Sequence, residues 1–116
     1  MARNFGKGYV PDRGDVVWLD FDPQIGKEQA KRRPAICISP KDYNQKSGLA
    51  IFCPKTSKIK GYPFEIPISL NKIRGVILAD QVKSLDYRER NATFIEIVPI
   101  EVIENLKEFI CLLIEG

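Results

Sequence analysis

The chain predicts a mainly β domain, a small and strongly bent sheet or barrel with short helical insertions and a C-terminal helix. Three observations point there. Runs of β-branched and aromatic residues follow one another with short, turn-rich breaks between them. Helical periodicity over several turns is confined to the final segment. A length of 116 residues leaves room for one domain, residues 1–116, and for a single core.

The elements follow in order. Residues 16–21 read VVWLDF, an almost continuous apolar run that implies a strand covered on both faces, with Trp18 in the core. Residues 35–39, 49–53, 64–68 and 76–79 repeat the signal, and residues 93–98 are a more amphipathic version of it. Asp22-Pro23, Ser47-Gly48, Lys60-Gly61 and Arg74-Gly75 punctuate these runs. Residues 42–46 are long enough for one helical turn. At the end, Pro99 suits a first-turn position, and Ile103, Leu106, Ile110 and Leu113 fall on one helical face. Glu101 and Glu104 lie early, where they complement the helix dipole. That stripe reads as a packing face.

Composition narrows the options. No apolar run approaches the length of a membrane span, and the polar start MARNFGKGY does not read as a signal peptide, so a cytoplasmic protein is expected. Cys37, Cys53 and Cys111 sit in apolar runs without CxxC spacing, which predicts buried reduced thiols and not a disulfide framework or zinc site. The net charge of +3 is unevenly spread: residues 1–60 hold 12 basic and 6 acidic residues, and residues 61–116 hold 6 and 9. A cationic N-terminal half favours a polyanionic partner.

The chain has no histidine, which excludes a His–His acid/base pair, a Ser-His-Asp triad and an HExxH metal site. Neither GxGxxG nor GxxxxGK[ST] occurs. Asp20, Asp22 and Asp80 are the nearest approach to a metal cluster, too sparse for a two-metal nuclease, so neither metal nor cofactor is expected. Residues 14–34 stand out: an apolar strand, a loop with Glu28, Gln29, Lys31, Arg32 and Arg33, then Pro34 and a second strand. Two strands holding a carboxylate and several cations suit a phosphodiester. RNA carries its own nucleophile, the 2′-OH, so an enzyme acting on it can work without metal. Arginine is always charged and its planar fork matches two phosphate oxygens, which makes Arg33 the candidate stabiliser of the phosphorane. Thr56 adds a hydroxyl donor. Glu28, with an ordinary pKa of about 4.3, is a weak but available base, and Asp80 is the other candidate for a proton transfer. Gln29, Lys31, Arg32, Lys60 and Asp80 are expected among the RNA contacts, with Asn44 and Gln81 reading base edges. Single-stranded RNA is favoured because its unstacked bases can be splayed out.

The order of residues goes further. Residues 22–34 fit DP-x-x-G-x-EQ-x-x-x-RP; Ser39-Pro40 with Tyr43-Asn44 fits SP-x-x-YN; Pro54 to Thr56, KGYPFE at 60–65 and ADQVKS at 79–84 follow in sequence. This series resembles the MazF/PemK family of toxin endoribonucleases over about three quarters of the chain. The resemblance implies an SH3-like barrel, a homodimer, and catalysis led by the arginine and threonine at the positions of Arg33 and Thr56. It implies a sequence-specific, metal-independent cut in single-stranded RNA, leaving a 2′,3′-cyclic phosphate and a 5′-OH. The expected partner is a cognate MazE-like antitoxin of a type II toxin–antitoxin system. The alternative is a non-catalytic SH3-like toxin or binding module acting on a protein target such as gyrase.

Overall fold

Seven antiparallel strands and two helices are seen in a computed structural model that describes residues 8–21 and 32–116. The strands are β1 (Asp15–Asp20), β2 (Arg32–Cys37), β3 (Ala50–Thr56), β4 (Glu65–Ser69), β5 (Arg74–Leu78), β6 (Lys83–Leu85) and β7 (Thr93–Ile97). Helix α1 (Lys41–Ser47) joins β2 to β3, and α2 (Ile100–Glu115) follows β7. The order across the sheet is β4-β5-β3-β2-β1-β7, with β6 also on β3. β3 makes the bend. One of its edges pairs β2, while the other pairs β6 at Ala50–Phe52 and β5 at Lys55–Thr56. The sheet therefore curls into a half-barrel, and the mainly β expectation with a C-terminal helix holds.

Alternation in the central strands explains their continuous apolar sequences. Val17, Leu19, Ala35, Cys37 and Phe52 face one core with Tyr9, Leu85 and Tyr87. Val16, Ile36 and Cys53 face the other, which α2 covers with Ile103 and Leu106. Successive side chains go to opposite faces, so a sheet buried on both sides reads apolar throughout. Trp18 departs from expectation: it is 41% exposed, because it lies one pleat beyond Val16, outside the cluster that α2 covers.

β2 begins three residues earlier than its sequence suggested. Proline lacks a ladder donor, which made Pro34 look like the strand's threshold. Here β1 pairs β2 down to Arg32, but β3 joins β2 only from Ala35 onward. Pro34 thus needs no partner on its second edge, and both arginines belong to the strand. Pro99 is likewise shifted, standing at the N-cap of α2 with extended backbone (ψ 151°) and not in its first turn. No helix among the described residues is long and apolar enough to cross a membrane.

The thiols divide. Cys37 and Cys53 are buried, and desolvation pushes them up to about 11 and about 12. Cys111 is exposed on α2, contrary to the expectation of three buried thiols. Its helix covers the sheet through Ile103 and Leu106 and turns Cys111 outward. Thiolate is the reactive form. Iodoacetamide at neutral pH should therefore alkylate Cys111 in the folded protein and reach Cys37 and Cys53 only after denaturation, as peptide mass mapping would show.

Candidate functional site

Strand alternation sorts the two arginines of β2. Arg33 lines a cleft of about 230 Å³ with Thr56, Lys58, Lys60, Tyr62, Phe64, Glu65, Leu78 and Gln81. Arg32, its neighbour, points to the opposite face. There its guanidinium donates to Asp20 Oδ1 (3.1 Å), the Trp18 carbonyl (3.3 Å), the Asn91 carbonyl (2.9 Å) and Thr93 Oγ1 (3.2 Å). Arg32 ties β1 and β2 to the residues around β7, and it is not part of the cleft.

Thr56 closes β3, where the strand leaves β2 and meets β5 at Val76. Its Oγ1 accepts the Lys58 backbone N–H at 3.1 Å, which occupies a lone pair and leaves the O–H to donate outward. The backbone is tightly specified at this crossing. Gly75 has φ +136°, and a Cβ placed on it would lie 2.2 Å from the Thr56 carbonyl oxygen. Only glycine allows β5 to pass so close to the threonine.

The cleft's outer wall is the turn from Lys58 to Phe64. The Glu65 carboxylate holds it from β4, accepting the backbone N–H of Lys60 (3.1 Å to Oε2) and Gly61 (2.8 Å to Oε1). Tyr62 and Phe64 stack with centroids 5.1 Å apart. With Glu65 occupied by backbone donors, Arg33, Lys58 and Lys60 give the cleft a positive character suited to an anion. Lys58, Tyr62, Phe64, Glu65 and Leu78 were not singled out for the site in the sequence. KGYPFE carried the signal for most of them, since an acid four residues beyond a Lys-Gly turn can cap its backbone.

The remaining candidates separate. Gln81 lines the cleft beside Leu78, while Asp80, one residue away, is exposed and does not. Asp80 lies close enough to Cys53 to reinforce the rise that desolvation gives that thiol. Asp20 is held by Arg32 and by Asn91 Nδ2 at 2.8 Å, and among the described residues no three Cys, Asp or Glu gather as metal ligands. Asn44 needs correcting. It is fully buried, donates to the carbonyls of Pro11 (2.8 Å) and Ser39 (3.0 Å), and accepts from the Ser39 hydroxyl. Its amide is consumed in fastening α1 to the sheet and offers no edge to a base. Glu28, Gln29, Lys31 and Asp22 lie outside the described residues.

Comparison with known proteins agrees with this geometry. Residues 12–114 match the family described as PemK-like, MazF-like toxin of type II toxin–antitoxin system. The chain is 49% identical over 106 residues to the endoribonuclease toxin MazF of Escherichia coli strain K12, covering 91% of this chain and 96% of that protein. It superposes on crystalline MazF from Deinococcus radiodurans with a TM-score of 0.84 at 44% identity, over 93% of this chain and 99% of that one. A MazE–MazF complex from the same organism gives 0.86 at 44% identity, over 92% and 97%. A match spanning nearly the whole sequence, on the same fold, settles descent: the chain belongs to the PemK-like, MazF-like toxins of type II toxin–antitoxin systems.

Proposed function

We propose that the Arg33–Thr56 cleft carries the endoribonuclease activity of this toxin, cutting single-stranded RNA at specific sequences without a metal. The observation that supports this most is the convergence in one basic cleft of an arginine from β2 and a hydroxyl donor from the end of β3. Arg33 binds two non-bridging oxygens of the scissile phosphate, and its charge grows in value as the phosphorane becomes dianionic. Thr56 donates its O–H to one of the same oxygens. Lys58 and Lys60 hold neighbouring phosphates, and Gln81 offers a base edge both a donor and an acceptor. Glu28 is the proposed acceptor of the 2′-OH proton.

With the 2′-OH as nucleophile, the P–O5′ bond breaks as the O2′–P bond forms, and the departing O5′ takes its proton from water. The products are a 2′,3′-cyclic phosphate and a 5′-OH. A defined oligonucleotide with one cleavage site tests this by end-group analysis. Cutting should continue in excess EDTA and stop when the nucleotide before the scissile bond is 2′-deoxy. A 5′-phosphate product would overturn the mechanism, and no RNA cleavage at all would favour a protein target.

The same charge suits a MazE-like antitoxin whose acidic, disordered segment folds over the cleft and excludes RNA. The solved MazE–MazF complex of D. radiodurans supports that partner. A homodimer is supported by exposed apolar residues at the end of β7 and on α2, namely Ile97, Ile100, Leu112, Leu113 and Ile114. The cytoplasm is the proposed setting, since RNA substrate and antitoxin would meet the toxin there.

A further inference from the structure

We infer that Phe21 is a positioning residue for the cleft, seating Arg33 and Lys83 on one ring as a pair of phosphate-binding cations; this rests on the reading of Arg33 given above. Phe21 follows β1 and is only 1% exposed. Even so, its ring meets two charges, with Arg33 Cζ 5.8 Å and Lys83 Nζ 4.9 Å from the centroid. Both lie within the roughly 6 Å at which a ring quadrupole attracts a cation.

Topology makes the meeting notable. Arg33 belongs to β2 and Lys83 to β6, and each of these strands pairs β3 without pairing the other. No ladder between β2 and β6 sets the spacing of the two cations, so the ring is their shared reference. Lys83 is exposed and its backbone is fixed opposite Phe52, which leaves the ammonium open to a ligand.

The choice of an aromatic residue has a chemical reason. A carboxylate at this position would draw both cations together but occupy the donors that phosphate needs. A ring face attracts the positive charge without itself accepting N–H donors, as a carboxylate would. Two like charges held near one ring favour a ligand with two negative centres. Adjacent phosphates of an RNA strand supply them. Arg33 takes the scissile phosphate and Lys83 takes a neighbour, a contact that also helps fix the strand for in-line attack. Phe21 is too buried to stack on a base, so its contribution runs through the cations.

Fluorinated phenylalanines test the idea in the full chain, because each fluorine weakens the quadrupole with little change of shape. With 4-fluoro-, 3,5-difluoro- and 3,4,5-trifluorophenylalanine at position 21, the single-turnover cleavage rate at saturating RNA should fall stepwise, by up to about tenfold, while Tm stays level. Lys83→Gln should weaken RNA binding and lower the slope of log K against log salt by about one contact. Lys107→Gln on α2 should change neither. A flat rate across the series, a rate that falls only in step with Tm, or unchanged affinity in Lys83→Gln would each overturn the proposal. If Arg33→Ala is inactive while the series is flat, Phe21 alone loses its role. If Arg33→Ala retains full activity, the reading of the cleft itself fails.

Discussion

Arg33→Ala should slow RNA cleavage by about 10²–10³-fold, with Tm within a degree or two of the unsubstituted protein. The loss corresponds to roughly 3–4 kcal/mol, the usual contribution of a donor aimed at charge that develops in the transition state. Lysine should recover only part of it, because an ammonium cannot span two phosphate oxygens in one plane. The fold should survive because Arg33 is only partly buried, at the end of β2 that pairs with β1 alone. Thr56→Ala should be milder, since a neutral hydroxyl makes a weaker bond to phosphate than a charged fork does. Single-turnover kinetics on a defined oligonucleotide, with a thermal melt beside each variant, give the answer. Near-normal cleavage by a folded Arg33→Ala would falsify the assignment.

The second large effect comes from a residue that touches no substrate. Gly75→Ala places a methyl group where the Thr56 carbonyl oxygen now lies, 2.2 Å away, on backbone with φ +136°. Neither atom belongs to a flexible side chain, so β3 and β5 must separate. The expected cost is about 2–4 kcal/mol of stability, read from urea unfolding. Cleavage by the fraction that remains folded should fall by up to about 10²-fold, since the displaced strand end carries Thr56. Gly48→Ala is the matching control. That glycine also has positive φ (+74°), but nothing lies within 4 Å of its added carbon. It should cost about 1 kcal/mol and leave the cleavage rate unchanged. Equal effects of the two substitutions on catalysis would mean that the β3–β5 crossing does not position Thr56.

Much of this architecture was legible before any coordinates. Six of seven strands announced themselves through β-branched and aromatic runs, because packing on one or both faces of a sheet demands those residues. The seventh, β6, is three residues long and carries a lysine and a serine, too little for any pattern to register. Arg33 and Thr56 were legible as chemistry. What sequence order concealed was direction. Arg32 and Arg33 look equivalent in a basic loop, yet once both belong to a strand they face opposite sides, and only Arg33 reaches the cleft. Treating Pro34 as the strand's start hid that. Asn44 misled for another reason. A polar residue on a short helix reads as exposed, and its burial depends on the Pro11 carbonyl and on Tyr87, whose hydroxyl donates to the Asn44 carbonyl at 3.1 Å. Contacts so distant in sequence leave no local periodicity to detect.

The way β3 shares its edges also bears on how the protein fluctuates. It is bordered by β2 on one side and by β6 and then β5 on the other, whereas β4 and β7 stand at the ends of the sheet. Opening free energies in a native protein run from near zero at frayed margins to the full unfolding value at the most protected segments. Deuterium uptake should therefore reach the outer strands first and the amides of Ile51, Phe52, Cys53, Lys55 and Thr56 last. The proposed catalytic threonine would then sit at the end of the slowest-exchanging strand. Transient loosening of the sheet's margins, including the turn that bears Lys60 and Tyr62, would change which RNA is admitted before it disturbed the group that helps to cut it.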